Sequence, residues 1–279
     1  MALYHLSSVP STMDVARDLL YSDPLALQRW DGVLADEQTQ GRGQRGRTWF
    51  ARAGESLCAT FFYPHKFTMP SHPPDGSLQT VAMLSLLAGV AVAESIHRAL
   101  LKALGFPRSD RPTPPKPDVG LKWPNDLLLN HRKTGGILIE LAQLPTGEHI
   151  PLIGVGINLQ IREFPPELAL RATSFLREGI QGITPSWLGA QIATSLKLWA
   201  ERYAIGGQES VMRRWQYYDR TKGTAYTVSI EGRHIRGVAV EVASNGALLL
   251  QLEDGTLYPC FTASSVQPED AQLDATERK

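Results

Sequence analysis

Four short apolar segments follow one another between residues 119 and 159, and they constrain the fold more than any other part of the chain. Pro, Asn or Gly, which are typical of turns, separate each segment from the next. Runs this short are typical of buried strands rather than of helices. We therefore predict neighbouring strands of one sheet at 119–123, 126–129, 136–144 and 150–159.

The segment 77–104 is long and rich in Ala and Leu, and its polar residues lie towards its end, which predicts a helix of the core. Its longest apolar run, 81–93, is interrupted by Ser85 and Gly89 and is too short to cross a bilayer. The N-terminus has neither the basic nor the apolar region of a signal peptide. We therefore expect a cytoplasmic protein that does not bind a membrane.

Shorter patterns predict further elements of the larger, N-terminal part. Ser11 and the apolar spacing after it predict a capped helix start. The prolines between Phe106 and Gly120 exclude a helix or a central strand and indicate a surface excursion. Strands are predicted at 32–36 and 56–63, and helices at 184–203 and 209–218.

After Asp219 the chain changes to short strands separated by tight turns, which is typical of hairpins in a small all-β unit. The predicted strands are 226–230, 236–243, 247–252 and 256–260, with turns at 231–232, 244–246 and 254–255. A unit of this size usually depends on a larger neighbour for stability. We therefore predict an α+β chain in which residues 1–220 form a mixed β-sheet with helices and residues 221–279 a small β-barrel with a frayed tail after 267.

Charge and cysteine content narrow the classes of function. Lys+Arg and Asp+Glu are both 28, so the formal net charge is zero, whereas a protein that binds DNA usually carries a basic face. Cys58 and Cys260 lie far apart in apolar, strand-like runs, and neither has a partner at metal-ligand spacing. We predict buried thiols, no zinc site, no disulfide and no DNA partner.

The segment Asp36–Trp49 carries the strongest functional signal. Three glycines alternate with three arginines from Gly41 to Arg47, and a Trp follows. Gly lets backbone N–H groups approach an anion closely, and Arg offers a rigid, permanently charged fork that matches phosphate or carboxylate. The segment is predicted to wrap around a small anion beside the apolar wall of Trp49; a solvated basic turn or a nucleic-acid-binding arm is the alternative.

Two further motifs place lysines beside the predicted sheet. In KWPND, residues 122–126, a strand delivers Lys122, Pro124 ends the strand, and Asn and Asp follow at the exit. In the segment 132–140, Lys133 precedes two glycines, Gly135 and Gly136, that would let a ligand lie against the backbone. Each pattern also fits an ordinary turn with solvated polar side chains.

The segment Gly154–Leu159 (GVGINL) lies within a predicted strand. It is not a dinucleotide fingerprint, because no helix follows it and the third Gly is missing. Its alternating small residues leave room for a flat ring on one face of the sheet, and the amide of Asn158 suits an adenine edge. A close crossing of two strands explains the glycines equally well.

In this order, GRGQRGRTW, KWPND, RKTGGILIE and GVGINL resemble the biotin–protein ligase family, the biotin–[acetyl-CoA-carboxylase] ligases. The resemblance includes Ser11-Thr12 and the hairpin around Asn245-Gly246, and it covers nearly the whole chain except the Pro-rich segment. It implies a class II synthetase-like (biotin–lipoate ligase) catalytic domain followed by an SH3-like β-barrel. Because the motifs begin almost at residue 1, it also implies a monofunctional ligase without the N-terminal DNA-binding domain of larger members.

The resemblance implies a two-step reaction. Biotin carboxylate attacks the α-phosphorus of ATP, giving biotinyl-5′-AMP and pyrophosphate, and a Lys of a biotin carboxyl carrier protein then attacks the acyl-adenylate. Both steps develop negative charge, which preorganised cations and N–H groups stabilise. ATP and Mg²⁺ are the implied cofactors, biotin the substrate and the carrier protein the partner; monomer and homodimer both stay open.

The resemblance also implies roles for individual residues. Lys133 would bridge the biotin carboxylate and the α-phosphate, Arg42, Lys122 and Asp126 would complete the catalytic group, and Asp126 would help to hold Mg²⁺. The implied biotin-binding residues are Ser11, Thr12, Gln38, Gly41, Arg42, Lys133, Gly136 and Ile137. The implied ATP- and adenylate-binding residues are Arg42, Gly43, Arg45, Arg47, Trp49, Asn125, Lys133 and Asn158.

Two residues depart from the family pattern. Met13 stands where Asn often follows Ser-Thr, so one biotin hydrogen bond is missing or supplied elsewhere. Gln44 stands where many members have Arg, so the adenylate is expected to be held less tightly. The competing hypotheses are a lipoate–protein ligase or octanoyltransferase and a non-catalytic protein that binds biotinyl-adenylate or nucleic acid; the Arg/Gly segment and the KWPND turn favour the biotin type.

Overall fold

The computed structural model describes residues 2–63, 78–104, 117–230, 233–261 and 264–265. The predictions for the Pro-rich residues 106–116, the turn at 231–232 and the tail after 267 fall outside this part of the chain. The strands are β1 (Leu3–Val9), β2 (Gly32–Gln38), β3 (Ser56–Phe62), β4 (Val119–Lys122), β5 (Asp126–Leu129), β6 (Arg132–Gln143), β7 (His149–Asn158), β8 (Ala225–Ile230), β9 (Arg233–Val242), β10 (Leu248–Leu252), β11 (Leu257–Cys260) and β12 (Ser264–Ser265). The helices are α1 (Thr12–Ser22), α2 (Ala26–Arg29), α3 (Leu78–Leu104), α4 (Pro166–Ala169) and α5 (Pro185–Tyr218).

The first seven strands form one mixed sheet in the order β1-β2-β3-β7-β6-β5-β4. β1 and β2 are parallel, because α1 connects them, and every other neighbouring pair is antiparallel. The prediction of four neighbouring strands between residues 119 and 159 is confirmed, since they are β4 to β7. The edge strand β1 was not predicted.

Helices cover both faces of this sheet and form a separate apolar cluster on each. Alternate residues of β7 divide between the clusters, because side chains of a strand point to opposite faces. Ile153, Val155 and Ile157 pack with α3 and α5, whereas Leu152 packs with Met13 of α1. The sheet is therefore a layer between α3 and α5 on one side and α1 on the other.

The ends of the helices have local causes. The Ser11 side chain accepts a hydrogen bond from the N–H of Met13 and caps α1, as predicted. Thr184 caps α5 in the same way through Trp187 N–H. The two helices predicted at 184–203 and 209–218 lie in one long element that is broken at Gly207, whose φ of 61° and ψ of −162° no helix accepts.

α3 is apolar on nearly all sides because both of its faces are buried. By length and composition it could cross a membrane, but 83% of its most apolar stretch is buried inside the protein. The expectation that this apolar segment is too short for a bilayer therefore needs correction. Burial against the sheet and α5 explains its composition.

Residues after Asp219 form a second, antiparallel sheet in the order β11-β10-β9-β8-β12, consistent with the expected SH3-like unit. Gly246 and Gly255 adopt φ of 86° and 83° in its tight turns, as expected for hairpin glycines. Its apolar residues belong to the same cluster as α3 and α5, including Tyr226 and Leu248. The core is thus continuous across the boundary predicted near residue 220.

Candidate functional site

A cavity of about 580 Å³ opens on the α1 side of the large sheet. It lies between the Arg/Gly segment, the middle of β6 and β7, the KWPND turn and one residue of β8. The predicted site residues that line it are Ser11, Thr12, Gln38, Arg42, Gly43, Arg47, Trp49, Lys122, Asn125, Asp126, Lys133, Gly136, Ile137 and Asn158. The fold therefore brings residues that are far apart in sequence to one place.

A neutral hydrogen-bonding group lies on the β2–β3 side of the cavity. Gln38 Oε1 accepts from the backbone N of Thr12 at 2.7 Å and from its hydroxyl at 2.9 Å. The Thr12 hydroxyl is also 2.9 Å from the hydroxyl of Thr60, which is fully buried. These groups carry no charge and suit a neutral polar ligand such as a cyclic urea.

Sequence reasoning missed Thr60. Its only sequence signal is a hydroxyl residue among the otherwise apolar residues 57–62. A buried polar group needs a partner, and Thr12 supplies it here.

The Arg/Gly segment is a compact hairpin-like loop. Arg42 and Thr48 form an isolated antiparallel bridge, and the N–H of Gly43 donates to Arg47 O at 2.7 Å. Arg42 and Arg47 line the cavity, whereas the Arg45 side chain lies outside the described part of the structure. The loop therefore brings at least two cations to the cavity.

Gly41 is buried and is not among the residues that line the cavity, and its contact with biotin stays a prediction. A Cβ there would lie 3.1 Å from Trp49 O and 3.2 Å from Gln38 Nε2. The lack of a side chain allows the loop to close against these two residues.

Arg42 is held by a carboxylate of α1. Its Nη1 and Nη2 donate to Asp14 at 2.7 and 2.6 Å. The paired guanidinium lowers the pKa of Asp14, and the hydrogen bonds that Arg42 donates to Asp14 raise the pKa of Arg42. Asp14 also binds Arg17, which in turn pairs with Glu140 on β6.

The indole of Trp49 packs against the glycine face of β7. A Cβ at Gly156 would come within 2.5 Å of the indole Cε2, so only glycine permits this contact. At Gly154 the neighbouring group is Met13, whose methyl carbon would lie 2.8 Å from an added Cβ. The predicted room for a flat ring is present, and the chain's own indole fills part of it.

The KWPND turn lies opposite the neutral group, at the ends of β4 and β5. The Asn125 side chain donates to Ile137 O at 2.6 Å, and the backbone carbonyl of Asn125 accepts from Ile137 N at 3.0 Å, which fixes the turn to β6. Asp126 forms an ion pair with Lys133. Burial lowers the pKa of Lys122, the attraction of Asp126 opposes this shift, and the nearby Lys133 cation adds to it.

The two glycines after Lys133 have different roles. A Cβ at Gly136 would have Lys133 Cε as its nearest neighbour, at 3.7 Å, so this backbone is open to the cavity. At Gly135 a Cβ would lie 2.5 Å from Gly156 O, and the residue does not line the cavity. The space that the prediction requires is present at Gly136, where a ligand contact stays a prediction, whereas Gly135 serves close strand packing.

Asn158 lies at the end of β7 and is 4% exposed. Its Nδ2 donates to Thr173 O at 3.1 Å, and its Oδ1 is buried without a hydrogen-bond partner among the described residues. Its other donor hydrogen and this acceptor remain for a ligand, so adenine recognition stays a prediction.

Tyr226 of β8 lines the cavity and was also missed. It is 1% exposed, its hydroxyl donates to Trp123 O at 2.9 Å, and its ring centroid is 5.9 Å from Lys122 Nζ. A single aromatic residue in a distant strand carries no sequence signal for this position.

The described residues contain no group of three His, Cys, Asp or Glu side chains that could hold a metal by themselves. Asp126 is a carboxylate at the cavity, and Mg²⁺ is usually bound by one or two carboxylates together with substrate phosphates. The site therefore fits a magnesium ion that is bound jointly by Asp126 and by the phosphate oxygens of the nucleotide.

Comparison with known proteins identifies the same region. A model of the Biotin/lipoate A/B protein ligase family matches residues 6–158. The bifunctional ligase/repressor BirA of Escherichia coli is 30% identical over 234 residues, which are 84% of this chain and 65% of that protein. The chain thus spans about 65% of the length of the curated relatives it matches first.

Two solved structures are similar over nearly the whole chain. The biotin protein ligase of Aquifex aeolicus, in complex with biotin and ATP, has a TM-score of 0.68 at 23% identity and covers 95% of this chain and 97% of its own. The biotin protein ligase of Leishmania major, in complex with biotinyl-5-AMP, has a TM-score of 0.58 at 25% identity and covers 95% of this chain and 98% of its own. Both have the fold described above.

Proposed function

Because the chain belongs to the biotin/lipoate A/B protein ligase family, we propose that it is an ATP-dependent biotin–protein ligase. One observation carries the proposal: a single cavity joins a neutral hydrogen-bonding group to a set of cations. Thr12, Gln38 and Thr60 lie on the β2–β3 side, and Lys122 and Lys133 lie across β7 on the β4–β6 side. A ureido ring fits the first part, and a carboxylate and phosphates fit the second.

In the first step, Lys133 would hold the biotin carboxylate against the α-phosphorus of ATP. The carboxylate oxygen attacks phosphorus and pyrophosphate leaves, so negative charge shifts onto the leaving phosphates. Lys133 lies at the cavity on a sheet strand, where its position is rigidly supported. Arg42 and Arg47 would neutralise the phosphates, since such chemistry depends mainly on positioning and on charge neutralisation.

Mg²⁺ would bind Asp126 together with phosphate oxygens, and it would supply additional positive charge at the leaving group. Asp126 now pairs with Lys133, so its carboxylate is already placed beside the reacting groups. Asn158 would accept and donate hydrogen bonds at the adenine, and Trp49 would exclude water from the mixed anhydride.

In the second step, the amine of an acceptor Lys would attack the biotinyl carbonyl carbon, AMP would leave, and the amine would lose its proton. The partner would be a biotin carboxyl carrier protein in the cytoplasm. Lys122, whose pKa burial lowers, would lie beside the acyl-phosphate. Two features support the ligase over a non-catalytic binder: the cavity holds cations for both steps, and the BirA relative is named a ligase.

Transfer of labelled biotin to a carrier domain, with ATP and Mg²⁺, tests the proposal. Lipoate and octanoate, each with its own carrier domain, are run beside biotin. Transfer of biotin alone supports the biotin ligase. Preferential transfer of lipoate or octanoate would show that the chain is a lipoate or octanoate transferase or ligase of the same family. Ligand binding without pyrophosphate release would show that it is a non-catalytic binding protein.

A further inference from the structure

Three hydrogen bonds from the C-terminal part of the chain hold the KWPND turn. The N–H of Trp123 donates to Thr221 Oγ1 at 2.9 Å, and its indole Nε1 donates to Gly246 O at 3.1 Å. The carbonyl of Trp123 accepts from the Tyr226 hydroxyl at 2.9 Å. Every hydrogen-bonding group of Trp123 is therefore paired with a residue beyond position 220.

These contacts are buried and closely packed. Trp123 is 2% exposed, and Thr221 and Tyr226 are each 1% exposed. The two rings meet edge to face at 6.0 Å with an interplanar angle of 76°, an arrangement that aromatic pairs prefer. Breaking a buried hydrogen bond leaves an unpaired polar group, so the position of the turn is strongly determined.

The Tyr226 ring also reaches the chemical end of the cavity. It is a wall of the cavity, and Lys122 Nζ lies 5.9 Å from its centroid, within the range of a cation–π contact. Lys122 and Asp126 flank the same turn, and Asp126 pairs with Lys133. A displacement of Trp123 would therefore move the ammonium and the carboxylate together.

We propose that Tyr226 is a positioning residue of the ligase reaction: it fixes the KWPND turn through Trp123 and packs its ring against Lys122. This inference rests on the proposed function and adds a role for the C-terminal sheet within the catalytic cavity. The sheet acts on the cationic side only, because the neutral group is built from α1, β2 and β3.

The test compares Tyr226→Leu with Tyr226→Phe and with the control Tyr258→Leu. Tyr258 belongs to β11 of the same sheet and packs on the same apolar cluster, but it does not line the cavity. Biotin-dependent ATP–pyrophosphate exchange gives kcat, and calorimetry gives the biotin Kd. Tyr226→Leu should lower kcat by about ten- to a hundredfold, since small misplacements of reacting groups have effects of this size.

The biotin Kd of Tyr226→Leu should stay within about twofold of the Kd of the unaltered protein, because Tyr226 does not belong to the neutral group. A twofold change corresponds to roughly 0.4 kcal/mol, which is less than one hydrogen bond contributes. Tyr226→Phe keeps the ring and should recover part of kcat, and Tyr258→Leu should change neither quantity. The difference between the effect on kcat and the effect on biotin Kd is the readout that a general loss of stability would not give.

An unchanged kcat in Tyr226→Leu, or an equal loss of kcat and biotin affinity, overturns the inference. If Tyr226→Leu does not fold, Tyr226→Phe combined with Thr221→Val replaces it, because both changes keep the side-chain volume. An unchanged kcat in that double variant has the same meaning. Absence of biotin-dependent exchange in the unaltered protein is a different result, since it removes the proposed function itself.

Discussion

Asp14 binds both terminal nitrogens of Arg42, at 2.7 and 2.6 Å, and so ties the Arg/Gly loop to the first turn of α1. The same arginine lines the cavity at which phosphates are proposed to bind. A carboxylate in this position both orients the guanidinium and partly neutralises it.

Asp14→Asn should therefore strengthen the binding of pyrophosphate to the free protein. A partly exposed ion pair contributes about 0.5–1 kcal/mol, so affinity is expected to rise about two- to fivefold. Titration calorimetry with pyrophosphate measures this change. Asp18→Asn, an exposed carboxylate on the same helix, is the matched control. Weaker binding by Asp14→Asn would mean that orientation of Arg42 outweighs its neutralisation.

Lys133→Ala should lower biotin-dependent pyrophosphate exchange about 10²–10³-fold, the usual effect of removing one electrostatic stabiliser from a reacting centre. The fold should persist, because the Lys133 side chain is 41% exposed. Lys197→Ala removes a lysine of similar exposure that pairs with Asp31, and it should retain normal exchange. Near-normal exchange by Lys133→Ala would remove this residue from the catalytic role.

Thr60→Val should weaken biotin binding while leaving ATP binding unchanged. The substitution keeps the shape but removes the hydroxyl partner of Thr12, and a lost hydrogen bond costs about 0.5–1.5 kcal/mol, or about two- to tenfold in Kd. Thr194→Val on α5 is the control, since the Thr194 hydroxyl bonds within its own helix to Ala190 O. Equal biotin Kd values for the two variants would place the head group elsewhere in the cavity.

Gly156→Ala should displace Trp49 and increase the loss of the reactive intermediate. The new methyl group would lie 2.5 Å from the indole, and overpacking of this kind costs about 1–3 kcal/mol unless the ring moves. Release of AMP in the absence of an acceptor protein reports hydrolysis of the adenylate. Gly206→Ala on α5 is the control, because Gly206 does not line the cavity. Equal AMP release by both variants would contradict a shielding role for Trp49.

Acid should weaken the contact between Asp118 and Arg220. The Arg220 guanidinium binds both carboxylate oxygens, at 3.0 and 2.7 Å, and lowers the pKa of Asp118 below its ordinary value of 3.8. A lowered folded-state pKa contributes stability above pH 3.8 that is lost as the pH falls through the folded value. Urea unfolding of Asp118→Asn should therefore show a lower midpoint at pH 6, and this difference should disappear under acidic conditions. If the difference in urea midpoint between the two proteins is the same at pH 6 and under acidic conditions, the charge of Asp118 is not its cause.

Local patterns predicted the elements well where each element carries its own signal. The strand at Asp126–Leu129 was predicted with correct bounds, and the break at Gly207 separates the two predicted helices. β1 was missed because its polar and apolar residues follow no strict alternation, and it is placed by parallel pairing with β2. Lys133 lies inside β6 rather than before it, because the partner strand β5 extends the pairing back to Arg132.

The site residues were predictable where a motif concentrates charged residues and glycines. They were not predictable where a single residue outside any motif contributes to the cavity. Arg42, Lys122 and Lys133 lie within recognisable motifs and meet at one cavity. Thr60 and Tyr226 lie in strands that carry no functional motif, and their positions depend on which strands become neighbours. Local sequence does not determine that long-range pairing.

The continuous core across residue 220 has a consequence for how this chain can be recombined. Trp123 forms hydrogen bonds with Thr221, Tyr226 and Gly246, so a C-terminal sheet grafted from another protein would have to reproduce these three contacts. Truncation after Asp219 would remove them and expose the apolar surface that Tyr226 and Leu248 cover. The two parts are therefore expected to be inherited, exchanged and engineered as one unit.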